Sequence, residues 1–196
     1  MNLALFDFDG TITYEDTFTP FIKKVISPRR RFYGTLSLLP FIVAYKLRWM
    51  STSQIRQRVV KTALRGLPLS AITQAGKDYA ANELPSMLRE NALEQIQWHL
   101  SQGDTVVVVS ASLDVYLKPW CAHIGVALIC TELGVHHHQL TGHYAGGDCC
   151  GEEKAKRVRQ KYNLEHFNKI YAYGDTSEDD ELLALADEKY FQWQRL

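Results

Sequence analysis

Asp7-Phe8-Asp9-Gly10-Thr11, set directly behind the apolar run Leu3-Ala4-Leu5-Phe6, constrains the fold of this chain more than any other stretch. The run reads as a short buried strand, and two carboxylates two residues apart at its end have no place in a core. A strand that finishes in Gly-Thr can aim a side chain into a crevice and bring backbone amides close to a ligand. Taken alone, a surface Asp-x-Asp-Gly turn explains the stretch equally well.

Further segments tip that balance. Thr105-Val106-Val107-Val108-Val109 runs into Ser110, and such β-branched runs suit a strand buried on both faces. Ile170-Tyr171-Ala172-Tyr173 runs into Gly174-Asp175, with Asp179 four residues on, and Gly151-Glu152-Glu153-Lys154 opens a helical pattern that continues through Val158. In an open parallel sheet, ligands bind beyond the carboxyl ends of the strands, so Asp7, Asp9, Ser110 and Asp175 share one crevice. A hydroxyl, a lysine and several carboxylates in one crevice point to a phosphate and a divalent cation.

The order DxDGT, strand-Ser, Lys on a helix, then GDxxxD resembles the haloacid dehalogenase superfamily. Gly142 to Val158, "GHYAGGDCCGEEKAKRV", resembles its subfamily IB branch, which contains phosphoserine phosphatases. The motifs span Asp7 to Asp179, nearly the whole chain. The expected fold is α/β: a three-layer, Rossmann-like parallel sheet core with an inserted α-helical cap and a small β-hairpin. Residues 1–12 and 85–196 are expected to form the catalytic core, and 13–84 the cap, because roughly Tyr14 to Leu84 is rich in helix formers without period-2 alternation.

Within that frame, Ser51 to Leu67 reads as a cap helix with Ser51 or Ser53 at its start and Gly66 at its stop. Pro85 to Leu100 reads as another helix, Val126 to Cys130 as a third strand, Leu133 to Ala145 as the hairpin beside the main sheet, and Lys189-Tyr190-Phe191 as a last strand. Phe32 to Tyr45, "FYGTLSLLPFIVAY", carries no charge and is flanked by Arg29-Arg30-Arg31 and by Lys46 and Arg48. It is too short for a membrane span, and Pro40 interrupts it, which favours a buried cap helix. The basic flanks with Tyr45 and Trp49 keep peripheral contact with a membrane through 32–49 open.

At 196 residues the chain allows one core domain with a modest insertion, and 46% hydrophobic residues suffice for a core. A formal net charge of zero argues against a general nucleic-acid partner. The acidic pair interrupts any signal-peptide core, and Cys121, Cys130, Cys149 and Cys150 lack scaffold spacing, so a cytoplasmic protein with reduced thiols is expected. His136-His137-His138 reads as a solvent-facing loop.

Phosphate esters repel anionic nucleophiles, so a site must neutralise the phosphoryl oxygens and hold the attacker in line. Asp7 is the expected nucleophile, forming an aspartyl-phosphate, and Asp9 the acid and then the base; the resemblance implies the same roles. Magnesium suits the hard oxygen donors. By resemblance, Asp7 and Asp175 supply carboxylate oxygens to it, Asp9 its backbone carbonyl, and Asp179 holds a metal-bound water. Asp179 is read almost as well as a helix cap. Ser110, the Ala111 amide and Lys154 are expected to bind the phosphoryl group, Lys154 because a cation in a first helical turn opposes the macrodipole unless it reaches an anion.

The expected partner is a small phosphorylated substrate. In the phosphoserine phosphatase branch an acidic residue nine positions after the nucleophile binds the substrate amine, and an arginine of the cap helix its carboxylate; these positions match Asp16 and Arg58. Arg56 and Arg58 point about 200° apart on a helix, so only one lines a pocket; the resemblance selects Arg58. The charge-free run at 32–45 resembles related branch members acting on lipid phosphates such as phosphatidylglycerophosphate. A phospho-accepting regulatory domain uses a similar aspartate, hydroxyl and lysine, but needs no proton-transfer partner such as Asp9.

Overall fold

Alternation on two central strands organises the molecule, and the computed structural model describes all 196 residues, Met1–Leu196. β1 (Leu3–Phe6) lies between β2 (Thr105–Leu113) and β5 (Ile170–Gly174), parallel to both. Ala4, Phe6, Val106 and Val108 face one side, and Leu3, Leu5, Val107 and Val109 the other. Two separate cores result, which is the three-layer arrangement expected of strands that are apolar on both faces. β3 (Ala127–His136) runs parallel to β2, and β6 (Glu188–Phe191) parallel to β5. The edges are antiparallel: β4 (Gln139–Ala145) pairs with β3, and the two-residue β7 (Gln194–Arg195) with β6. The order across the sheet is β4-β3-β2-β1-β5-β6-β7.

Between β1 and the core helix α5 (Glu90–Ser101) the chain forms α1 (Phe18–Val25), α2 (Pro28–Lys46), α3 (Thr52–Leu64) and α4 (Leu69–Asn82). The two ends of this insertion are zipped together: the Tyr14 amide donates to the Met87 carbonyl, and the Arg89 amide to the Ile12 carbonyl, both at 2.9 Å. That pairing draws Leu88 and Arg89 into extended backbone, so the helix expected over Pro85 to Leu100 instead begins at Glu90, after a short 3-10 turn at Leu84–Met87. α6 (Asp114–Ile124) follows β2, while α7 (Glu152–Lys161) and α8 (Asp180–Leu183) cover the opposite face through Val158, Leu182 and Leu183.

The insertion is continuous with the core. Phe18, Phe21, Ile72 and Tyr79 belong to the same buried cluster as Ala4 and Phe6. The rings of Phe21, Tyr79 and Tyr116 stand 4.9–5.4 Å apart and join α1 and α4 to α6. Gly76 lets α4 approach α6 so closely that a Cβ there would lie 2.2 Å from the Val115 carbonyl oxygen. The α3–α4 connection runs along β4, with backbone bonds from Gly66 to Leu140, Leu140 to Leu67 and Leu69 to His138.

Three elements differ from expectation. The hairpin is not separate from the main sheet, because its first arm is the continuation of β3. β2 does not stop at Ser110: it continues to Leu113 across a bulge, the pairing jumping from Ser110↔Cys130 to Leu113↔Thr131. The apolar run at 32–45 is not a buried cap helix. α2 is helical straight through Pro40, but only Leu38 is buried, since its contact with α3 is a narrow seam in which Gly34 meets Thr62 and Arg58 covers Phe41.

Candidate active site

The crevice forms where β1, β2 and β5 end together, and the residues that end them are held by one another. Asp7 leaves β1 with its amide bonded to the Tyr173 carbonyl at 2.9 Å, which keeps it in register with β5. Gly10 then turns the chain at φ +84°, and a Cβ there would lie 2.2 Å from Asp175 Oδ2, so glycine is required twice over. The Thr11 hydroxyl donates to Asp175 Oδ1 at 3.0 Å. Carboxylate oxygens of Asp7, Asp175 and Asp179 all lie within 4.8 Å of one another.

Lys154, in the first turn of α7, is only 3% exposed, and its ammonium donates to both Asp7 Oδ1 and Asp179 Oδ1. Burial works against its charge, but the two carboxylates more than offset this and hold it protonated. Burial pushes the Asp7 carboxyl up to about 8, with Lys154 pulling against it. Asp179 serves both readings of it. Its Oδ1 faces Lys154, while its Oδ2 accepts from the Asp175 and Thr176 amides at 3.1 and 3.2 Å in a capping box with Thr176.

Asp9 is held from a different side. The Thr17 amide and hydroxyl donate to its Oδ1 at 2.7 and 2.6 Å, and the Ser112 hydroxyl to its Oδ2. Burial raises its affinity for a proton, and the Ser112 and Thr17 hydrogen bonds resist this. The bulge in β2 is what turns Ser112 to Asp9; Ser110 is buried beside it and accepts from the Ser112 amide at 3.0 Å, leaving its own hydroxyl proton free. Ala111 lies in the same bulge, also buried. Asp175 is half-buried and raised by that burial, with the Thr11 bond opposing.

Of the two residues expected to select a substrate, Asp16 stands near enough to Asp9 that its charge adds to the raised proton affinity there, whereas Arg58 turns to α2. Asp16 is exposed and caps α1, accepting from the Phe18 and Thr19 amides at 3.1 and 3.0 Å. Arg58 is exposed, with its guanidinium 4.6 Å from the Phe41 ring centroid on α2. One arginine of the pair does turn inward, and it is Arg56, which lies 3.3 Å from both Asp148 Oδ2 and Glu178 Oε2. Burial works against its charge and the two carboxylates overcome it. Beside that contact, a cleft of about 740 Å³ opens between Tyr45, Arg48 and Trp49 on one wall and Cys150, Gly151 and Glu178 on the other. His136, His137 and His138 form the exposed hairpin tip.

Thr17 and Ser112 escaped the sequence reading, because they depend on a helix start and a bulge that no periodicity encodes. Thr11 stood in it only as the end of the DxDGT stretch, and Arg56 only through the R-x-R spacing.

Comparison with known proteins agrees with this geometry. Protein CicA of Caulobacter vibrioides is 32% identical, over 97% of this chain and 85% of its own. A protein of unknown function from Bordetella pertussis Tohama I superposes with a TM-score of 0.79 at 20% identity, over 97% of this chain and 89% of that one. A phosphoserine phosphatase captured as an analogue of its phospho-aspartyl intermediate superposes with a TM-score of 0.65 at 20% identity, over 97% and 85%. Residues 4–184 match the haloacid dehalogenase-like hydrolases, and this chain belongs to that family of enzymes.

Proposed function

We propose that this hydrolase cleaves a phosphate monoester through an aspartyl-phosphate on Asp7, and that it depends on magnesium. The observation that carries the reading is the gathering of Asp7, Asp175 and Asp179 within 4.8 Å, with one buried ammonium between two of them. Three carboxylates and one lysine leave a buried excess of negative charge, and hard oxygens at this spacing fit a small divalent cation. Asp7, Asp175 and the Asp9 carbonyl would hold it, with Asp179 behind a bound water. When bound, magnesium would supply charge neutralisation at the phosphoryl oxygens.

The remaining chemistry belongs to the chain. The Asp7 carboxylate attacks phosphorus in line, while the Lys154 ammonium, the Ser110 hydroxyl and the Ala111 amide donate to the phosphoryl oxygens. Asp9, whose raised proton affinity suits an acid, protonates the leaving oxygen. It then takes a proton from the water that attacks the phosphorus of the Asp7 acyl-phosphate, which releases inorganic phosphate, frees the Asp7 carboxylate and returns Asp9 to its protonated form.

In this reading residues 1–12 and 85–196 are the catalytic core and 13–84 its cap, the zipped ends at Ile12–Tyr14 and Met87–Arg89 marking the junction. The reaction is placed in the cytoplasm, which accords with four unpaired cysteines. For the substrate, the phosphoserine-like reading is weakened, because the Asp16 carboxylate oxygens are engaged by the Phe18 and Thr19 amides and Arg58 lies over Phe41. Arg56 is already neutralised by Asp148 and Glu178. The apolar and aromatic wall at Tyr45 and Trp49 favours the second reading, a phosphate monoester on an amphiphilic or lipid-like alcohol.

A rapid-quench experiment with a radiolabelled aryl phosphate tests the mechanism. Acid-stable, hydroxylamine-labile label should form on the wild type in magnesium, decay within one turnover, and be absent from Asp7→Asn. Label that persists far beyond a turnover would make the protein a phospho-accepting regulator. Undiminished turnover by Asp7→Asn, or turnover indifferent to chelation, would refute the reading. A parallel turnover screen of phosphoserine, sugar phosphates and a short-chain lipid phosphate ranks the substrates.

A further inference from the structure

Helix α2 presents an apolar face to solvent that nothing else in the molecule covers. Phe32, Leu36, Leu39, Val43 and Leu47 recur at helical spacing along one stripe, and all are between 47% and 68% exposed. The inward side is used differently: Gly34 meets Thr62, Leu38 is buried, and Arg30 donates to the Thr62 and Arg65 carbonyls. At the ends of the stripe stand exposed Arg29 and Arg31, and exposed Lys46 and Arg48. A shallow groove of about 560 Å³ crosses the face between Pro28, Arg31, Phe32, Thr35, Leu36 and Leu39. Trp49, just past the helix, is 80% exposed, with Tyr45 beside it.

The charge distribution says what fits there. From Thr17 to Lys77 the chain has 12 Lys and Arg and no Asp or Glu, whereas the rest carries all 22 Asp and Glu against 10 Lys and Arg. The neutral total hides a strongly cationic insertion on an anionic core. An apolar stripe about 25 Å long with cations at both ends matches a lipid surface, where acyl chains meet anionic headgroups. Two copies of this face packed against each other would instead bring Arg29, Arg31, Lys46 and Arg48 of each onto like charges, with no acid on α2 to relieve them. No helix of the chain is long and apolar enough to cross a membrane.

We propose that α2 docks this protein flat on an anionic lipid bilayer. Phe32, Leu36, Leu39, Val43 and Leu47 sit at the acyl boundary, and Arg29, Arg31, Lys46 and Arg48 on the headgroup phosphates. Docking turns the cleft mouth at Tyr45 and Trp49 toward the lipid. The surface is argued independently of which ester is cleaved, and of whether any is.

Sedimentation with phosphatidylcholine vesicles, with and without phosphatidylglycerol, tests this at low and high salt. The wild type should pellet with the anionic vesicles, weakly with neutral ones, and less at high salt. A Leu36→Ser/Leu39→Ser/Val43→Ser variant should lose vesicle affinity by more than about tenfold. Arg29→Gln/Lys46→Gln should lose roughly fivefold per cation. Unchanged melting temperatures in both variants separate lost docking from lost folding, without reference to turnover. A wild type that stays in the supernatant with anionic vesicles overturns the proposal, as do variants that pellet like it. A wild type that is dimeric in light scattering, becomes monomeric in the serine variant and ignores vesicles would assign the face to a second copy, which also overturns it.

Discussion

Replacing Arg56 with alanine should destabilise the protein far more than replacing Arg58, although both sit on α3 two residues apart. The Arg56 side chain is 17% exposed and Asp148 only 3%, so Arg56→Ala strands a buried carboxylate whose other oxygen accepts from Thr131 at 3.0 Å. Breaking a buried pair from one side costs about 3–5 kcal/mol; the 3.3 Å separation puts this one near the lower limit. The Glu178 contact adds little, because that carboxylate is a third exposed. For a chain of this size each kcal/mol moves Tm by roughly 2–4 °C, so Arg56→Ala should melt about 6–12 °C lower. Arg58→Ala loses one exposed cation–π contact, about 0.5–1 kcal/mol, or roughly 1–4 °C. Thermal melts followed by circular dichroism give the comparison, and the cycle with Asp148→Asn isolates the pair. Asp148→Asn should recover much of the Arg56→Ala loss, since no buried charge is then stranded. Equal losses from the two arginines, or no coupling to Asp148, would refute the assignment of Arg56 as the inward cation.

Asp7→Asn should raise the Tm measured in chelator and abolish the turnover measured in magnesium. Burial lifts the Asp7 carboxyl to about 8, so folding at neutral pH must bury a group that is ionised in the unfolded chain, and relief of roughly 0.5–2 kcal/mol is expected; a lower Tm would contradict this. His99 is fully buried between Asp104 at 2.9 Å and the Tyr173 hydroxyl at 3.0 Å, and burial holds its pKa below the ordinary 6.5. The unfolded chain therefore binds the extra proton, and stability present above pH 6.5 falls as pH drops below it. Asp104, held low by the His99 and Asn2 bonds despite its burial, adds a second loss as pH falls below 3.8. Urea midpoints between pH 8 and 5 should fall in the wild type relative to His99→Gln, the opposing gain from the raised Asp7 carboxyl being common to both. Gly76→Ala should cost about 1–3 kcal/mol, because its Cβ would meet the Val115 carbonyl 2.2 Å away; a neutral result in denaturant melts would mean that α4 and α6 are not so closely packed.

The strands that frame the crevice were legible because their apolar runs stop abruptly at Asp7, Ser110 and Asp175. The helix start was legible as Ser51 or Ser53, and the structure selects Ser51, in a full capping box with Gln54. The periodic signal weakened wherever tertiary pairing set the conformation. Leu88 and Arg89 look helical but are pulled straight by Ile12 to Tyr14, and β3 runs on into the hairpin because β4 lies ready to pair with it. Burial of α2 was misread for a related reason. An uncharged run shows that a surface needs covering, but whether the fold supplies the cover depends on what α3 presents across the seam. The choice between the two arginines was not legible, because helix geometry separates Arg56 from Arg58 without saying which way the helix is turned.

The backbone bonds joining Gly66, Leu67 and Leu69 to the hairpin have a consequence for the solubility of the protein. A seven-stranded sheet offers two open borders, and an unpaired border is a template on which another chain can add a strand. On one side the final strand is only two residues long, too short to seed such growth. On the other, β4 would present a full seven-residue border were its first residues not bonded to the segment between α3 and α4 and Gly142 not packed against the end of α3. The helical insertion thus doubles as a guard against aggregation. Versions shortened by excising it would expose that border, and would be expected to precipitate even where the catalytic strands themselves could still fold.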